Sequence, residues 1–241
     1  MSQGSQVRKR PRVLVVDVGG TNVKFKIWGR EPKLSFPSGK QLTPRKMLEQ
    51  LKTMTAGWAY DVVSIGIPCA VIHGRIAENP PLLGRGWVGF DFKPHLKKPV
   101  RVINDAAMQA LGSYRGGRML FIGLGTGLGS ALILDDVIVP LELGELAFSK
   151  TKTLAEKLGK AGLSEAGART WEAAIHRVTE RLAAAFRTDY VVIGGGNAKL
   201  VEKLPPKARR GSNEKAFDGG ARLWGVLGLK ATPRKHTWVI T

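Results

Sequence analysis

Two stretches of this 241-residue chain follow one plan, and that duplication restricts its fold more than any other feature of the sequence. Residues 12–28, RVLVVDVGGTNVKFKIW, run as an apolar strand to Asp17, turn through Gly19-Gly20-Thr21-Asn22, and return with Val23, Phe25 and Ile27 alternating with Lys24 and Lys26. Residues 118–139, RMLFIGLGTGLGSALILDDVIV, again read as strand, glycine turn and strand, followed by a two-Asp turn and a short third strand. Period-two alternation interrupted by glycine is the mark of a β-hairpin with a half-buried arm. Two such units predict an α/β chain in two similar halves, with the break near residues 103–118.

The segments between these units carry helix and strand signals. In LTPRKMLEQLKTM, Thr43 is placed to cap a helix, Pro44 to open it, and Met47, Leu48 and Leu51 to form its apolar face. YDVVSIGIP reads as a buried strand stopped by Pro68, AVIHGRIA as a short hairpin, and residues 78–92 as a loop rich in Pro and Gly. PVRVINDAAMQALGSYRGG predicts a strand and then a helix begun by Asn104 or Asp105 and ending near Gly116. In the second half TKTLAEKLGKAG is helical, and Trp171, Ala174, Ile175, Val178, Leu182 and Phe186 recur at helical spacing. DYVVIGGGNAKLVEKL predicts strand, glycines and helix; NEKAFDGGARLWGVLG predicts a last helix.

Three glycine clusters now bear on chemistry: Gly19-Gly20-Thr21, residues 123–129, and Gly194-Gly195-Gly196-Asn197. A dinucleotide fingerprint needs G-x-G-x-x-G between a strand and a helix, so that pyrophosphate rests on the helix N-terminus. Residues 123–129 have the spacing G-x-G-x-G-x-G and run into another strand, and no G-x-x-x-x-G-K-[ST] occurs anywhere. Both nucleotide loops are therefore excluded. What remains is an anion-binding nest, in which bare N–H groups and a Thr hydroxyl converge on phosphate, or glycine serving only the positive φ of tight hairpins. Two hairpins with Gly and Thr, plus a triple-glycine strand end, favour the nest. Facing each other across a cleft, they would grip a phosphate chain from both sides.

Lys and Arg number 38 against 19 acids, a net charge of +19. Such a field attracts polyanions, unless it is only a solvated basic surface. Aromatic residues are 7% of the chain and do not interleave with the basic ones. With no helix-turn-helix or zinc-finger pattern either, no specific nucleic-acid partner is expected. No apolar run nears the roughly 20 residues of a membrane span, and no secretory apolar segment follows MSQGSQVRKRPR. The lone Cys69 suits a reducing cytoplasm, and one Cys with four His gives no reason to expect zinc.

Taken together, these motifs resemble a known family. DVGGTNVK and GLGTGLGSAL resemble the two phosphate motifs of the sugar-kinase/actin/Hsp70 superfold, in its ROK (repressor, ORF, kinase) branch. VINDAAMQALGSY resembles the catalytic Asn-Asp and following helix of that branch, and VVIGGGNAK its adenosine-side turn. IGIPCAVIHGRIAE, GWVGFDF and LELGELAF fall where the sugar-binding segments would be, so the similarity runs from about Arg12 to Trp224. The compact length and missing zinc motif most resemble the bacterial polyphosphate/ATP glucokinases.

The resemblance implies two ribonuclease-H-like (actin-like ATPase) lobes with the active site in the cleft between them. A disordered basic N-terminus would cover 1–11, the N-terminal lobe 12–103, the C-terminal lobe 104–228, and a basic tail 229–241; the last helix could pack back on the first lobe. The implied reaction carries a terminal phosphoryl group from ATP or polyphosphate to a hexose hydroxyl, glucose by default, in a cytoplasmic homodimer. Asp105 would be the general base, and Asp17 would orient the water shell of Mg2+. Gly19, Gly20 and Thr21 would contact the transferred phosphate with Lys24 in reach; Gly125, Thr126 and Gly127 would hold the donor chain; Gly195, Gly196 and Asn197 would lie beside adenosine. Asn104, Glu142, Glu145 and Asn79 would bind the sugar, with Trp87 stacking on it.

The chain departs from the family pattern at the sugar. Cys69 follows Pro68 where glycine is usual, and Leu82 or Leu83 stands near the place of a sugar-binding Asn. The E-x-G-H motif reads Glu142-Leu143-Gly144-Glu145, so a carboxylate replaces the histidine. Phosphate and base chemistry are kept while the acceptor site is rewritten. Another hexose, such as mannose or an amino sugar, is one alternative; a non-catalytic sugar or nucleotide sensor is another. The plainer alternatives are a simple N-cap for Asp105, which the motif around it disfavours, and a buried inert Cys69 and an outward strand Lys24, which are the commoner cases for such residues.

Overall fold

Every residue of the apolar run 13–18 is buried, because strand β1 (Val13–Val18) is the middle strand of a five-stranded sheet. The computed structural model describes residues 10–241. The disorder expected over 1–11 therefore concerns mainly residues 1–9, which lie outside the described residues. Arg12 is anchored: its Nε and Nη2 donate to the two Asp61 carboxylate oxygens at 3.1 and 2.8 Å.

The chain continues through β2 (Asn22–Ile27), β3 (Leu34–Pro37), α1 (Pro44–Met54) and β4 (Val62–Ile67). A short hairpin of β5 (Val71–Ile72) and β6 (Arg75–Ile76), a single turn α2 (Lys93–Leu96) and β7 (Val100–Asn104) complete the first half. The Thr43 side chain caps α1 by accepting from the Lys46 amide, and Pro44 opens it, as the local residues require. The sheet order is β3-β2-β1-β4-β7, with β1, β2 and β3 antiparallel and β1, β4 and β7 parallel.

The second half contains α3 (Asp105–Ser113), β8 (Met119–Leu124), β9 (Leu128–Leu134), β10 (Val137–Leu141), α4 (Leu154–Leu158), α5 (Lys160–Ala185), β11 (Tyr190–Gly194), β12 (Ala208–Arg210) and α6 (Lys215–Arg222). Its sheet has the order β12-β11-β8-β9-β10, which reproduces the first sheet with β8 in the place of β1. Strands β8, β9 and β10 are antiparallel, and β8, β11 and β12 are parallel. The duplicated hairpins of the sequence are thus the centres of two equivalent sheets.

Alternation along each central strand divides the core. Leu14, Val16 and Val18 face α1, while Val13 and Val15 join a cluster that also contains Met119 and Phe121 of β8. Leu120, Ile122 and Leu124 point the other way, to Trp171, Ile175 and Val178 of α5. Helices α3 and α6 lie between the sheets, α6 against β1 and β4 of the first. They meet backbone on backbone: a Cβ at Gly112 would lie 1.8 Å from the Lys215 carbonyl oxygen, and one at Gly219 would lie 1.8 Å from that of Met108.

Several local expectations change. The basic tail is a hairpin, β13 (Ala231–Arg234) and β14 (Thr237–Ile240), which extends the second sheet by pairing Ile138 with Trp238 and Val137 with Val239. Trp238 and Ile240 are buried in the central cluster while Arg234 and Lys235 stay in solvent, so the charges that suggested a tail occupy only the outer face. The helix expected after the triple glycine is a single 3-10 turn, Ala198–Leu200. Helix α3 ends at Ser113, short of Gly116, and α5 is broken at Gly167, where φ is +74°.

Candidate active site

In open α/β sheets, ligands sit beyond the carboxyl ends of the parallel strands. Here the ends of β1, β4 and β7 from one sheet and of β8 and β11 from the other open on a single cleft of about 760 Å3. Asp17, Gly19, Gly20, Thr21, Lys24, Asn79, Asn104, Asp105, Gly125, Thr126, Gly127, Glu142, Glu145, Gly195, Gly196 and Asn197 all line it. Trp87 does not. It is fully buried in the N-terminal core, with Nε1 donating to the Leu42 carbonyl at 3.2 Å, so the expected stacking on a sugar is withdrawn. Asn79 accepts from the Trp87 amide at 3.1 Å, which ties the cleft-lining loop to that core.

At the end of β7 the structure separates two roles left open in the sequence. Asn104 is the N-cap of α3: its Oδ1 accepts from the Ala107 amide at 3.0 Å and its Nδ2 donates to the Cys69 carbonyl at 3.2 Å. Asp105 is the first helical residue, and its Oδ1 accepts from the Ala106 amide at 2.8 Å. Burial, and then the neighbouring Asp17, push the Asp105 carboxyl up to about 7, against the pull of two backbone amides. Asp17 rises to about 6, again by burial, with Lys24 opposing. Two acids poised near neutrality at the mouth of a cleft are suited to taking up a proton.

The glycine turns are not explained by left-handed backbone. Of the three clusters only Gly195 has a positive φ, +83°, and there a Cβ would collide with the Leu124 carbonyl oxygen at 2.3 Å. At Gly125 and Gly196 a Cβ would meet nothing, since the space they leave is the cleft itself. The amides of Gly19 and Gly125 close their own turns, donating to Asn22 at 3.0 Å and Gly127 at 3.1 Å. Among the described residues, those of Gly20, Thr21, Thr126 and Gly127 donate to no backbone carbonyl. The third turn braces the second: Asn197 donates from its amide to the Leu124 carbonyl at 2.9 Å and from Nδ2 to that of Gly125 at 3.1 Å. Lys160, at the start of α5, adds an N–H bond to the Gly125 carbonyl at 3.0 Å. The result is a pair of firmly held turns with inward amides free for an anion.

The other end of the cleft is acidic. Glu142 precedes and Glu145 ends a single 3-10 turn, Leu143–Glu145, which Ser130 holds by donating to the Leu141 carbonyl at 2.8 Å and accepting from the Leu143 amide at 3.1 Å. Glu78, which sequence reading passed over, also lines this end and accepts from the Ala70 amide at 2.9 Å. Its place just before Asn79 was the available signal. Gln109 also lines the cleft, and its spacing of four from Asp105 puts both on one face of α3. Leu82, rather than the buried Leu83, is the leucine that reaches the cleft, over Gly20.

Burial, then Glu78, Asp105 and Glu142, push the Cys69 thiol up to about 12. Reactivity belongs to the thiolate. Folded protein at pH 8 is therefore expected to leave Cys69 unmodified by a chromogenic disulfide reagent, with one equivalent reacting only on denaturation. Rapid labelling of the native protein would contradict the burial.

No family model matches the chain. Its sequence is similar to the polyphosphate glucokinase of Mycobacterium tuberculosis, 24% identical over 218 residues that take in 79% of this chain and 80% of that protein. It is 30% identical over 167 residues to the kanosamine kinase of Amycolatopsis mediterranei, across 62% of this chain and 54% of that protein. Among solved structures, the inorganic polyphosphate/ATP-glucomannokinase of Arthrobacter sp. strain KM superposes with a TM-score of 0.72 at 25% identity, over 88% of this chain and 97% of that one. A ROK family glucokinase from Streptomyces griseus shares the fold at a TM-score of 0.71 and 16% identity, over 88% of this chain and 99% of that one.

Proposed function

We propose that this chain, which belongs to the ROK family of sugar kinases, transfers the terminal phosphoryl group of ATP or polyphosphate to a hexose hydroxyl, with glucose as the reference acceptor. The similarity to a kanosamine kinase widens the acceptor to hexoses other than glucose. The observation that carries the reading is the position of Asp105, between the free amides of the glycine turns and the acidic end of the cleft. With its carboxyl poised near 7, Asp105 takes the proton of the sugar hydroxyl as that oxygen bonds to the terminal phosphorus and the bond to the leaving phosphate breaks. The amides of Gly20, Thr21, Thr126 and Gly127, with Lys24 nearby, meet the charge on the phosphate oxygens. Gly195, Gly196 and Asn197 form the wall beside an adenosine.

Magnesium fits this site. Asp17 and Asp105 are buried carboxylates, both raised chiefly by burial and Asp105 also by Asp17, and hard oxygen donors suit the ion. Among the described residues no three His, Cys, Asp or Glu side chains converge to hold a metal, so Mg2+ would be held by Asp17 through water and by the donor phosphates. When bound it would neutralise phosphate charge. A homodimer working in the cytoplasm completes the proposal, on the strength of the resemblance and the single cysteine; no helix among the described residues is long and apolar enough to cross a membrane.

A coupled assay over a panel of hexoses, with ATP and with polyphosphate, tests the reaction. Formation of a hexose phosphate is expected; no product from any hexose with either donor would leave a sensor instead. The net charge of +19 adds a prediction. KM for long-chain polyphosphate should rise severalfold between 50 and 200 mM salt, about as counterion release requires, while KM for the sugar stays level. An unchanged polyphosphate KM would remove the long basic path from the proposal.

A further inference from the structure

The sugar end of the cleft runs against the charge of the rest of the molecule. A chain with 38 basic and only 19 acidic residues lines one cleft with Glu78, Glu142, Glu145 and Asp105, and on the kinase reading that cleft must also admit a polyanion. Among the described residues, the Glu142 and Glu145 carboxylates have no ion pair, and no side chain or amide donates to them. Nor do these acids converge on a point where a metal could bind. Glu142 is raised by burial and by Glu78, Asp105 and Glu145, so the carboxylates feel one another. Sugar hydroxyls can donate to such groups, but they leave the charge in place. A cation on the acceptor would remove it, and would also screen the acids from the incoming donor phosphates.

We infer that the acceptor is a hexose bearing a free ammonium group, seated against Glu145 and Glu142. This rests on the sugar-kinase reading and narrows it to an amino sugar. The phosphorylated oxygen remains a hydroxyl facing Asp105; the ammonium serves recognition only and undergoes no bond change.

The test uses the whole chain with magnesium and each donor. Catalytic efficiency is compared for glucose, 2-amino-2-deoxyglucose, 3-amino-3-deoxyglucose and the N-acetyl form of the first amine, and calorimetry measures binding of the same sugars without donor. At least one amine should exceed glucose by about tenfold or more, the effect of one charged hydrogen bond, and acetylation should abolish the advantage. Glu145→Gln should bring the amine-to-glucose ratio close to one, in turnover and in binding alike. Glucose equal to or better than both amines in turnover and in binding overturns the inference, as does a ratio that Glu145→Gln leaves alone. If no sugar is phosphorylated but an amine binds more tightly than glucose, the kinase reading fails and ammonium recognition stands. If nothing is phosphorylated and no amine is preferred, both fail.

Discussion

Asp105→Asn is expected to lower kcat by roughly a hundredfold to ten-thousandfold while the protein folds as before. Asparagine keeps the shape of the side chain and can still accept from the Ala106 amide, so α3 should start as it does now. What it loses is the ability to take a proton from the sugar hydroxyl. In the wild type, efficiency should climb with pH through about 7 and then level, because the carboxylate is the active form. The charge on Asp17 helps set that limb, since it raises the Asp105 carboxyl after burial has done so. Stability should move the opposite way. Folding raises the Asp105 carboxyl above its ordinary range, so its contribution is full below about pH 4 and is lost as pH rises through about 7. The Asn variant should therefore melt at or above the wild-type temperature at pH 8, while the two converge in acid. An Asn variant with near-normal turnover would remove Asp105 from the chemistry.

Gly112→Ala and Gly219→Ala should each destabilise the protein by about 3 kcal/mol, lowering Tm by about 10 °C. The sign is diagnostic, because alanine in an unconstrained helix stabilises it by about 1 kcal/mol relative to glycine. Here the added carbon would lie 1.8 Å from a carbonyl oxygen of the opposing helix, Lys215 in one case and Met108 in the other. Backbone cannot rotate away as a flexible side chain can, so α3 and α6 must separate. They are the packing between the two sheets, and α3 carries Asp105 at its first position, so activity should fall with stability. Thermal melts of both variants check this; unchanged melting would mean that the helices do not cross on glycine.

Much of the cleft was legible because its residues belong to local patterns. Asp17 ends an apolar strand before a glycine turn, and Asn104-Asp105 stand where a strand gives way to a helix; neighbours along the chain suffice to place both. The glycine turns were found for the same reason, yet which of their amides are free was not visible. That depends on bonds such as Asn22 to Gly19 and Gly127 to Gly125, which the turn makes only when folded. Glu78 was missed because a lone acid in a loop carries no periodicity, and its meaning comes from Glu142 and Glu145, which are remote in sequence.

Local chemistry was thus enough for the duplicated α/β plan, the Thr43 cap, the central strands and the chain order of the phosphate and base motifs, all of which act over a few residues. Trp87 and the C-terminal segment belonged to another scale. An aromatic ring beside a glycine loop reads the same whether it meets a sugar or a core, and only the packing of the N-terminal lobe buries it. A basic segment becomes a strand when an edge such as β10 offers it unpaired backbone and a dry face for Trp238. Both outcomes depend on what surfaces distant in the chain present to each other, and one-dimensional patterns do not carry that information.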